Sequence, residues 1–343
     1  MADKHVVRFE PVGIEIEVDE EQTILRAAAE QGIMLMHGCK EGQCASCKSF
    51  VLDGDDIEHD RYSTFALPDY EKEEGYTLLC RAHPYEDVTI ELLNYDEEMI
   101  RSGLPIQNAV AEVEAITAVT HDMRHLVLRL VEPGEVKFFP GQYMDIGVPG
   151  TDEVRSFSMA NTSSRDGLLE FIIKIYPDGL FSGFLDTQLK VGDRLDLTGP
   201  FGVFTLREGE EDLAFVGGGA GMAPILSLLR SMAERGIERK ATFFYGARGE
   251  RDLCFEAELR SIAEKLPSFT YIPALSDEPG SWTGETGLIT DVVKRLAGQL
   301  AGAHAYVCGP PPMVEAAIPL LQTLGVPEKR IYYDKFTTTG DPT

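Results

Sequence analysis

The arrangement of apolar and polar residues divides the chain into three segments, and the first of them combines strands with one helix. Apolar and polar residues alternate over residues 5–10 and 13–18, with a Pro-Val-Gly turn between them. Alternation places the apolar side chains on one face of a strand, so these stretches predict a β-hairpin. Apolar residues at helical spacing over residues 23–31, followed by Gly32, predict a helix. Further strands are predicted over residues 49–52, 76–80 and 88–93.

The second segment, from residue 108 to about residue 207, consists of short strands separated by turn residues. Its strands are predicted over residues 110–118, 125–130, 143–148, 156–160, 169–176 and 194–198. Short strands at this regular spacing indicate a small antiparallel barrel.

The third segment begins at residue 212 and alternates apolar strands with helices. Its strands are predicted over residues 213–216, 241–245, 271–275 and 305–308, and its helices over residues 224–235, 255–265, 289–296 and 314–324. This alternation predicts a parallel α/β sheet of the dinucleotide-binding kind. We therefore expect a multidomain α+β and α/β protein with domains at residues 1–100, 105–208 and 211–343.

Four of the six cysteines have a spacing that indicates an iron–sulfur centre. Four residues separate Cys39 from Cys44, two separate Cys44 from Cys47, and 32 separate Cys47 from Cys80. This order is the ligand pattern of a plant-type [2Fe–2S] cluster, whose two irons need four thiolates. Glycines in the same loop allow backbone N–H groups to approach the sulfur atoms.

Two other kinds of metal site agree less well with these residues. A zinc site usually has paired C-x2-C units, and one such unit, Cys44 with Cys47, is present. His37 precedes the first of the four cysteines by two residues, but a Rieske centre needs two His ligands. We therefore expect His37 to be a neighbour of the cluster. Cys254 and Cys308 are distant in sequence and are expected to be free thiols.

A second motif lies in the predicted barrel. Arg155-Ser156-Phe157-Ser158 falls on a predicted strand, and residues 179–182 begin a predicted helix. Together they offer an arginine for a pyrophosphate, an aromatic ring for stacking, and a helix N-terminus that attracts an anion. The Arg-x-Phe-Ser string alone is a weak signal, because arginine and serine on a strand usually face solvent.

The third segment holds two motifs at places where α/β sheets bind nucleotides. Residues 217–224, Gly-Gly-Gly-Ala-Gly-Met-Ala-Pro, directly follow a predicted strand, so the backbone can approach a dinucleotide. Pro224 occupies the third-glycine position of the usual fingerprint and suits the first turn of a helix. Cys308-Gly309-Pro310 follows another strand at the same sheet edge. Taken alone, Cys308 would be a small buried apolar side chain.

With these motifs in this order, the chain resembles the ferredoxin–NADP⁺ reductase superfamily fused to an N-terminal ferredoxin. The resemblance is greatest to the NADH-dependent reductase components of bacterial soluble di-iron monooxygenases, of the methane and propane monooxygenase type. It covers essentially the whole chain. It implies a β-grasp ferredoxin domain with a [2Fe–2S] cluster, an antiparallel β-barrel that binds FAD, and a C-terminal α/β domain that binds NADH.

The resemblance also implies a role for individual residues. The cluster ligands would be Cys39, Cys44, Cys47 and Cys80. FAD would be held by Arg155, Phe157, Ser158, Lys174, Gly179 and Ser182. NADH would contact Gly218, Gly219, Gly221, Pro224 and Gly309. Ser158 near the reactive flavin edge and Cys308 beside the nicotinamide would be the catalytic residues, and Phe336 would cover the flavin.

These cofactors imply an enzyme that divides one hydride from NADH into two single electrons for a hydroxylase component. A catalytic triad is not expected. A reductase that serves an aromatic-ring dioxygenase, or a phenol or toluene hydroxylase, would contain the same three modules. A non-enzymatic iron–sulfur redox sensor is a further alternative, and the intact flavin and nicotinamide motifs argue against it.

The charge of the chain narrows the choice of partner. A net charge of −26 argues against binding of nucleic acid, which needs a basic surface. Residues 1–108 hold 9 Lys or Arg and 24 Asp or Glu, a net charge of −15. This excess is either a solubilising surface or a docking face for a basic partner protein. The acidic residues that flank the cysteine motif are Glu41, Asp53, Asp55, Asp56, Glu58, Glu71, Glu73 and Glu74.

Location and cofactor choice follow from two further observations. No run of 18 apolar residues occurs and the N-terminus lacks a signal pattern, so we expect a cytoplasmic protein with no membrane contact. NADH is expected to be preferred over NADPH. Glu250 and Asp252, which follow the second strand of the α/β segment, would repel a 2′-phosphate, whereas Arg248 and Arg251 would attract one.

Overall fold

The computed structural model describes residues 3–38, 40–95, 100–101, 103–163, 167–176, 178–277 and 280–336. The chain divides into two compact units. The first contains Met1–Ile106 and Pro200–Val203, and the second contains Gln107–Gly199 and Phe204–Thr338. Within the described part of the chain, no helix is long and apolar enough to span a membrane.

The first unit is a five-stranded sheet with a helix packed on it. Its elements are β1 (Lys4–Glu10), β2 (Ile14–Asp19), α1 (Ile24–Glu30), β3 (Lys48–Asp53), β4 (Ile57–His59), α2 (Asp69–Glu73), β5 (Tyr76–Leu78), β6 (Ala82–Pro84) and β7 (Val88–Glu91). The strand order is β2-β1-β7-β3-β5, and β4 pairs with β6 in a separate ribbon. β1 is antiparallel to β2 and parallel to β7, as in a β-grasp fold.

The sequence pattern explains how this unit forms its core. Along β1 the side chains of Val7 and Phe9 are buried while their neighbours are exposed or partly exposed, as strand alternation requires. α1 begins after Thr23, whose hydroxyl accepts a hydrogen bond from the backbone N–H of Arg26 at 3.3 Å and so caps the helix. Ile24 and its apolar neighbours on α1 then pack into the same core.

The first part of the second unit is an antiparallel barrel. Its elements are β8 (Gln107–Ala118), β9 (Met123–Glu132), β10 (Tyr143–Gly147), β11 (Val154–Ser158), β12 (Leu168–Lys174), α3 (Leu180–Thr187) and β13 (Arg194–Phe201). The sheet order is β11-β10-β13-β8-β9-β12. A bridge between Met159 and Phe171 links the chain just after β11 to β12 and closes the sheet.

The rest of the second unit is a parallel sheet with helices between its strands. Its elements are β14 (Leu213–Gly218), α4 (Met222–Arg235), β15 (Ala241–Ala247), α5 (Glu256–Lys265), β16 (Phe269–Leu275), β17 (Glu285–Thr286), α6 (Ile289–Leu296), β18 (His304–Gly309), α7 (Pro311–Thr323) and β19 (Ile331–Lys335). The strand order is β17-β16-β15-β14-β18-β19, and every pairing is parallel. All carboxyl ends therefore meet at one edge of the sheet, where α/β proteins bind ligands.

The expected fold class is confirmed, with corrections to individual elements. The strand predicted over residues 76–80 ends at Leu78, because the N–H of Arg81 turns back to donate to the Leu78 carbonyl at 2.8 Å. The short elements α2, β4, β6 and β17 were not predicted, because two to five residues do not display a period. β19 was also missed, and it leads directly to Phe336.

Candidate functional site

The cysteine loop joins α1 to β3 and has a constrained backbone. Lys40, Gly42 and Ala45 have positive φ angles of 57°, 70° and 57°. Residues other than glycine seldom adopt this conformation, so the surrounding structure must hold Lys40 and Ala45 in it. At Gly42 an added Cβ atom would lie 2.6 Å from the Cβ of Tyr62. Glycine is therefore required at this point of the loop.

Two of the expected cluster ligands, Cys44 and Cys47, lie in this loop, and a third, Cys80, follows β5 and hydrogen-bonds to Cys47. Cys47 and Cys80 are buried, whereas Cys44 is partly exposed. A hydrogen bond from Cys80 lowers the pKa of the Cys47 thiol, although burial and the charge of Cys44 act in the opposite direction. Cys39, the fourth expected ligand, lies outside the described residues. Sulfur donors from this loop and from the segment after β5 fit an iron–sulfur cluster, whereas magnesium and calcium prefer oxygen.

His37 lies beside the loop, and both of its ring nitrogens are engaged by the backbone. Nδ1 lies 2.7 Å from the carbonyl oxygen of Leu35, to which it donates. Nε2 accepts a hydrogen bond from the backbone N–H of Gly202 at 3.2 Å. A neutral imidazole that uses one nitrogen as donor and the other as acceptor has none left for a metal. This arrangement agrees with the expectation that His37 is not a ligand.

The candidate flavin residues of the Arg-x-Phe-Ser string lie on β11. Ser158 is buried, and Arg155 is partly exposed with its Nη1 2.8 Å from the Oε2 atom of Glu153. The ring of Phe157 lies 5.0 Å from the ring of Phe181 on α3. The string on β11 and the start of α3 are therefore neighbours, as the motif interpretation requires.

The other three candidate flavin residues lie at the end of β12 and the start of α3. The Nζ atom of Lys174 lies 2.6 Å from the Oδ2 atom of Asp122. The hydroxyl of Ser182 donates to the carbonyl oxygen of Tyr176 and accepts from its N–H, both at 3.1 Å. Gly179 precedes the first turn of α3. The contact of these residues with FAD stays a prediction.

The glycine-rich turn after β14 packs against the end of β18. Gly217 on β14 is paired with Cys308 on β18. A side chain at Gly221 would collide with the carbonyl oxygen of Cys308, and a Cβ atom at Gly309 would lie 2.8 Å from the carbonyl oxygen of Gly218. The two backbones therefore touch, and this contact requires glycine on both sides.

Tyr245 contributes to this turn although the sequence analysis did not select it. It is fully buried on β15, and its hydroxyl donates to the carbonyl oxygen of Gly219 at 3.1 Å. Gly219 has a φ of 56°, and Pro224 is buried in the first turn of α4. A tyrosine between apolar residues of a strand gives no sign in the sequence that its hydroxyl reaches the neighbouring turn.

Cys308 and Phe336 meet at the carboxyl edge of the parallel sheet. Cys308 is fully buried, and burial together with the charge of Asp334 raises the pKa of its thiol well above the ordinary value. The backbone N–H of Phe336 donates to the carbonyl oxygen of Gly309 at 3.0 Å. The Phe336 side chain packs against the same apolar cluster as Cys308. This edge therefore offers a neutral thiol and an aromatic ring.

Charged side chains from the turn before β9, the end of β12 and the turn after β15 meet in the structure, although no sequence motif links them. The Oδ2 atom of Asp122 is 3.3 Å from the Nη2 atom of Arg248, in addition to its contact with Lys174. The Oδ1 atom of Asp252 is 3.9 Å from Arg248 Nη2 and 3.6 Å from His121 Nδ1. One ligand-type atom each of His121, Asp122 and Asp252 lies within 4.8 Å of the others. The nearby lysine and arginine already balance the two carboxylates, so this group is an ion-pair network.

Three family models match consecutive parts of the chain. The 2Fe-2S iron-sulfur cluster binding domain matches residues 7–85, the oxidoreductase FAD-binding domain residues 110–206, and the oxidoreductase NAD-binding domain residues 215–318. All the expected ligands of each cofactor fall inside the corresponding match, except Phe336. The chain therefore carries binding domains for all three expected cofactors.

The full length of the chain is similar to curated and structurally solved reductases. It is 50% identical to the reductase component of propane 2-monooxygenase from Mycolicibacterium smegmatis, over 98% of this chain and 99% of that one. It is 38% identical to the phenol 2-monooxygenase reductase component of a Pseudomonas species, over 98% and 95% of the two chains. The crystal structure of an Amycolatopsis cytochrome P450 reductase superposes with a TM-score of 0.87 and 31% identity, over 97% and 99% of the two chains.

Proposed function

The chain belongs to the family of monooxygenase reductase components that join a [2Fe–2S] domain to FAD- and NAD-binding domains, and from this premise we propose that it serves a propane-type monooxygenase. It is a flavin- and iron–sulfur-dependent oxidoreductase that passes electrons from a reduced nicotinamide to an oxygenase. In our proposal the donor is NADH and the acceptor is the hydroxylase component of a soluble di-iron monooxygenase. The choice of propane rests on sequence identity. The chain is 50% identical to the propane 2-monooxygenase reductase component over its full length, and 38% identical to the phenol 2-monooxygenase reductase component.

The proposed division of labour follows the three domains, at residues 1–100, 105–208 and 211–343. When bound, FAD would supply the link between the two-electron hydride of the donor and the one-electron capacity of a [2Fe–2S] cluster. The proposed cluster ligands are Cys39, Cys44, Cys47 and Cys80. The proposed flavin residues are Arg155, Phe157, Ser158, Lys174, Gly179 and Ser182, with Phe336 as a cover. The proposed nicotinamide residues are Gly218, Gly219, Gly221, Pro224, Cys308 and Gly309.

The chain's own groups would bind and orient the donor rather than exchange protons with it. Tyr245 fixes the position of Gly219, and the contact between Gly221 and Cys308 sets the shape of the turn that receives the dinucleotide. The Cys308 thiol stays neutral because burial and the charge of Asp334 raise its pKa, so the thiol itself adds no charge at that edge. We also propose a cytoplasmic location, where thiols that bind iron remain reduced.

The proposal is tested by reconstitution of the holoenzyme with separate oxygenase components. NADH-driven product formation would be measured with the hydroxylase components of a propane, a phenol and an aromatic-ring oxygenase system. We expect product with the propane hydroxylase and little with the other two. NADH-to-ferricyanide activity, measured in each mixture, would verify that the reductase is active. Equal or faster turnover with the phenol hydroxylase would overturn the choice of propane.

A further inference from the structure

Arg248 stands at the place in the α/β domain where a 2′-phosphate would be recognised. It is the first residue after β15, and Gly246 near the end of β15 is paired with Gly218 in the glycine-rich turn. In dinucleotide-binding sheets, the residues that follow the strand next to the glycine turn approach the adenosine ribose. An acidic residue there binds the 2′-hydroxyl of NADH, and an arginine there accommodates the 2′-phosphate of NADPH. The side chain of Arg248 is 60% exposed, so a ligand can reach it.

Asp122 reaches this arginine from the barrel. It lies in the turn between β8 and β9, and its Oδ2 atom is 3.3 Å from Arg248 Nη2 and 2.6 Å from Lys174 Nζ. Its Oδ1 atom accepts a hydrogen bond from the hydroxyl of Thr120 at 3.0 Å. Burial raises the pKa of Asp122, but the hydrogen bond and the charge of Lys174 outweigh this effect and leave the pKa below its ordinary value. The carboxylate is therefore ionised at neutral pH and fixed in position.

Asp252 supports the same arrangement from the other side. It is 8% exposed, and its Oδ2 atom accepts a hydrogen bond from the backbone N–H of Gly249 at 2.8 Å, which holds the turn after β15. Its Oδ1 atom is buried, makes no hydrogen bond within the described residues, and lies 3.9 Å from Arg248 Nη2. The guanidinium group of Arg248 thus lies between two carboxylates, and its charge is compensated before a ligand arrives.

We propose that Asp122 is a positioning residue for cofactor choice, which holds Arg248 away from a 2′-phosphate and thereby disfavours NADPH. A phosphate that approached Arg248 would have to displace Asp122 and would also meet its negative charge. NADH, which has a 2′-hydroxyl, meets neither obstacle. The arginine that would favour NADPH by its position in the sequence is therefore neutralised by a residue 126 positions earlier. This proposal rests on the proposed function in one respect, the use of NADH as the donor.

The test compares NADPH with NADH in the holoenzyme, with ferricyanide as the electron acceptor. The ratio of kcat/KM for NADPH to kcat/KM for NADH would be measured for the wild type, Asp122→Asn, Arg248→Ala and the double variant. In Asp122→Asn we expect this ratio to rise about tenfold, mainly through a lower KM for NADPH, because a charge-assisted arginine–phosphate contact becomes available. In the double variant the gain should disappear. Arg248→Ala alone should leave the ratio within about twofold of the wild type, because its guanidinium is already occupied.

Glu114→Gln is a matched control, because it also removes a barrel carboxylate paired with an arginine, at 2.6 Å from Arg129 Nε. Its ratio should equal that of the wild type. An unchanged ratio in Asp122→Asn would overturn the proposal, and so would a gain that persists in the double variant, since Lys174 would then be the phosphate partner. If Asp122→Asn fails to fold, the Arg248→Ala variant still tests the proposal. A several-fold loss of its activity with NADPH would show that Arg248 is not held away from the phosphate. Ferricyanide needs no hydroxylase, so this outcome is independent of the reconstitution test.

Discussion

The backbone N–H of Phe336 donates a hydrogen bond to the carbonyl oxygen of Gly309 at 3.0 Å, which fixes the residue after β19 to the residue after Cys308. Gly309 is paired with Lys335 across β18 and β19. The backbone position of Phe336 is therefore set by the parallel sheet itself. A ring held at this edge can cover a planar ligand.

Phe336→Ala should weaken the retention of FAD. Aromatic contacts of this kind contribute about 0.5–1.5 kcal/mol, so the dissociation constant for FAD should rise about two- to thirteenfold. The hydrogen bond of residue 336 to Gly309 uses the backbone and would persist in the variant. Release of FAD on dilution, followed by flavin fluorescence, is the measurement. Phe336→Tyr keeps a ring and should retain FAD like the wild type; equal loss in both variants would contradict a covering role.

Cys308→Ala should slow flavin reduction by NADH without unfolding the protein. The loss of one buried sulfur atom leaves a small cavity and costs about 1 kcal/mol of stability. Ser231→Ala is the matched control, because it also removes one buried side-chain heteroatom of the second unit, near the end of α4 rather than at the glycine turn. Stopped-flow absorbance of the flavin would give the rates. If the two variants reduce flavin equally fast, Cys308 is a packing residue only.

Several parts of the site could be predicted from local sequence, and others could not. Cys44 and Cys47 belong to a short motif whose spacing alone predicts ligation of an iron–sulfur cluster, and in the structure Cys80 hydrogen-bonds to Cys47. The glycines after β14 were found because they directly follow an apolar strand. By contrast, the hydroxyl of Tyr245 and the carboxylate of Asp122 act across the fold on Gly219 and Arg248. No periodicity links residues 126 positions apart, so such pairs appear only when the chain is folded.

Lys174 makes a second contact that could not be predicted from local sequence. The resemblance places it along FAD, and that contact stays a prediction. In the structure its ammonium group lies 2.6 Å from Asp122, and through this carboxylate it belongs to the network that also contains Arg248. Whether a lysine at the end of a strand also pairs with a carboxylate depends on what the neighbouring turn presents. That turn lies on another strand pair, which local sequence does not reveal.

Cys44→Ser should remove the cluster and leave the flavin site intact. The wild type should contain about two irons per chain, as a [2Fe–2S] centre requires, and the variant close to none. Iron analysis and the visible absorption of the cluster are the measurements. FAD content and NADH-to-ferricyanide activity should be retained, because the flavin and nicotinamide residues belong to the other unit. A variant that had also lost flavin reduction would contradict the separation of the three modules.

Mild acid should destabilise the first unit through His59. Burial, together with Lys72 and His83, lowers the pKa of His59 from 6.5 to about 4. Between these values the unfolded chain binds a proton that the folded chain does not, so stability falls as the pH decreases through this window. His59→Gln can keep the hydrogen bond to Thr77 Oγ1, which is 2.8 Å long in the native chain. We expect the variant to lose less stability than the wild type between pH 7 and pH 5, with thermal bleaching of the cluster as the readout. Equal losses in the two proteins would exclude His59 as the cause.

Electron transfer to the hydroxylase should weaken as ionic strength rises, if the acidic excess of residues 1–108 is a docking face. At about 0.15 M salt the screening length is roughly 8 Å, so long-range attraction is lost before close contacts are. Most of the acidic residues named for this face are exposed, but Glu71 is paired with Lys48 and contributes less. The hydroxylase-coupled rate should fall roughly tenfold between low and high salt.

Glu41 lies in the cysteine loop itself. Removal of its charge should therefore lower the rate of electron transfer to the hydroxylase more than removal of any other single charge of this acidic surface. Glu41→Gln should therefore reduce the coupled rate at low salt more than Asp53→Asn, an equal charge change at the exposed end of β3. NADH-to-ferricyanide activity needs no protein partner and should change little with salt in all three proteins. A coupled rate that stays constant from low to high ionic strength would assign the acidic surface to solubility. Equal effects of the two substitutions would instead indicate that the net charge of the unit, rather than its distribution around the cluster, attracts the partner.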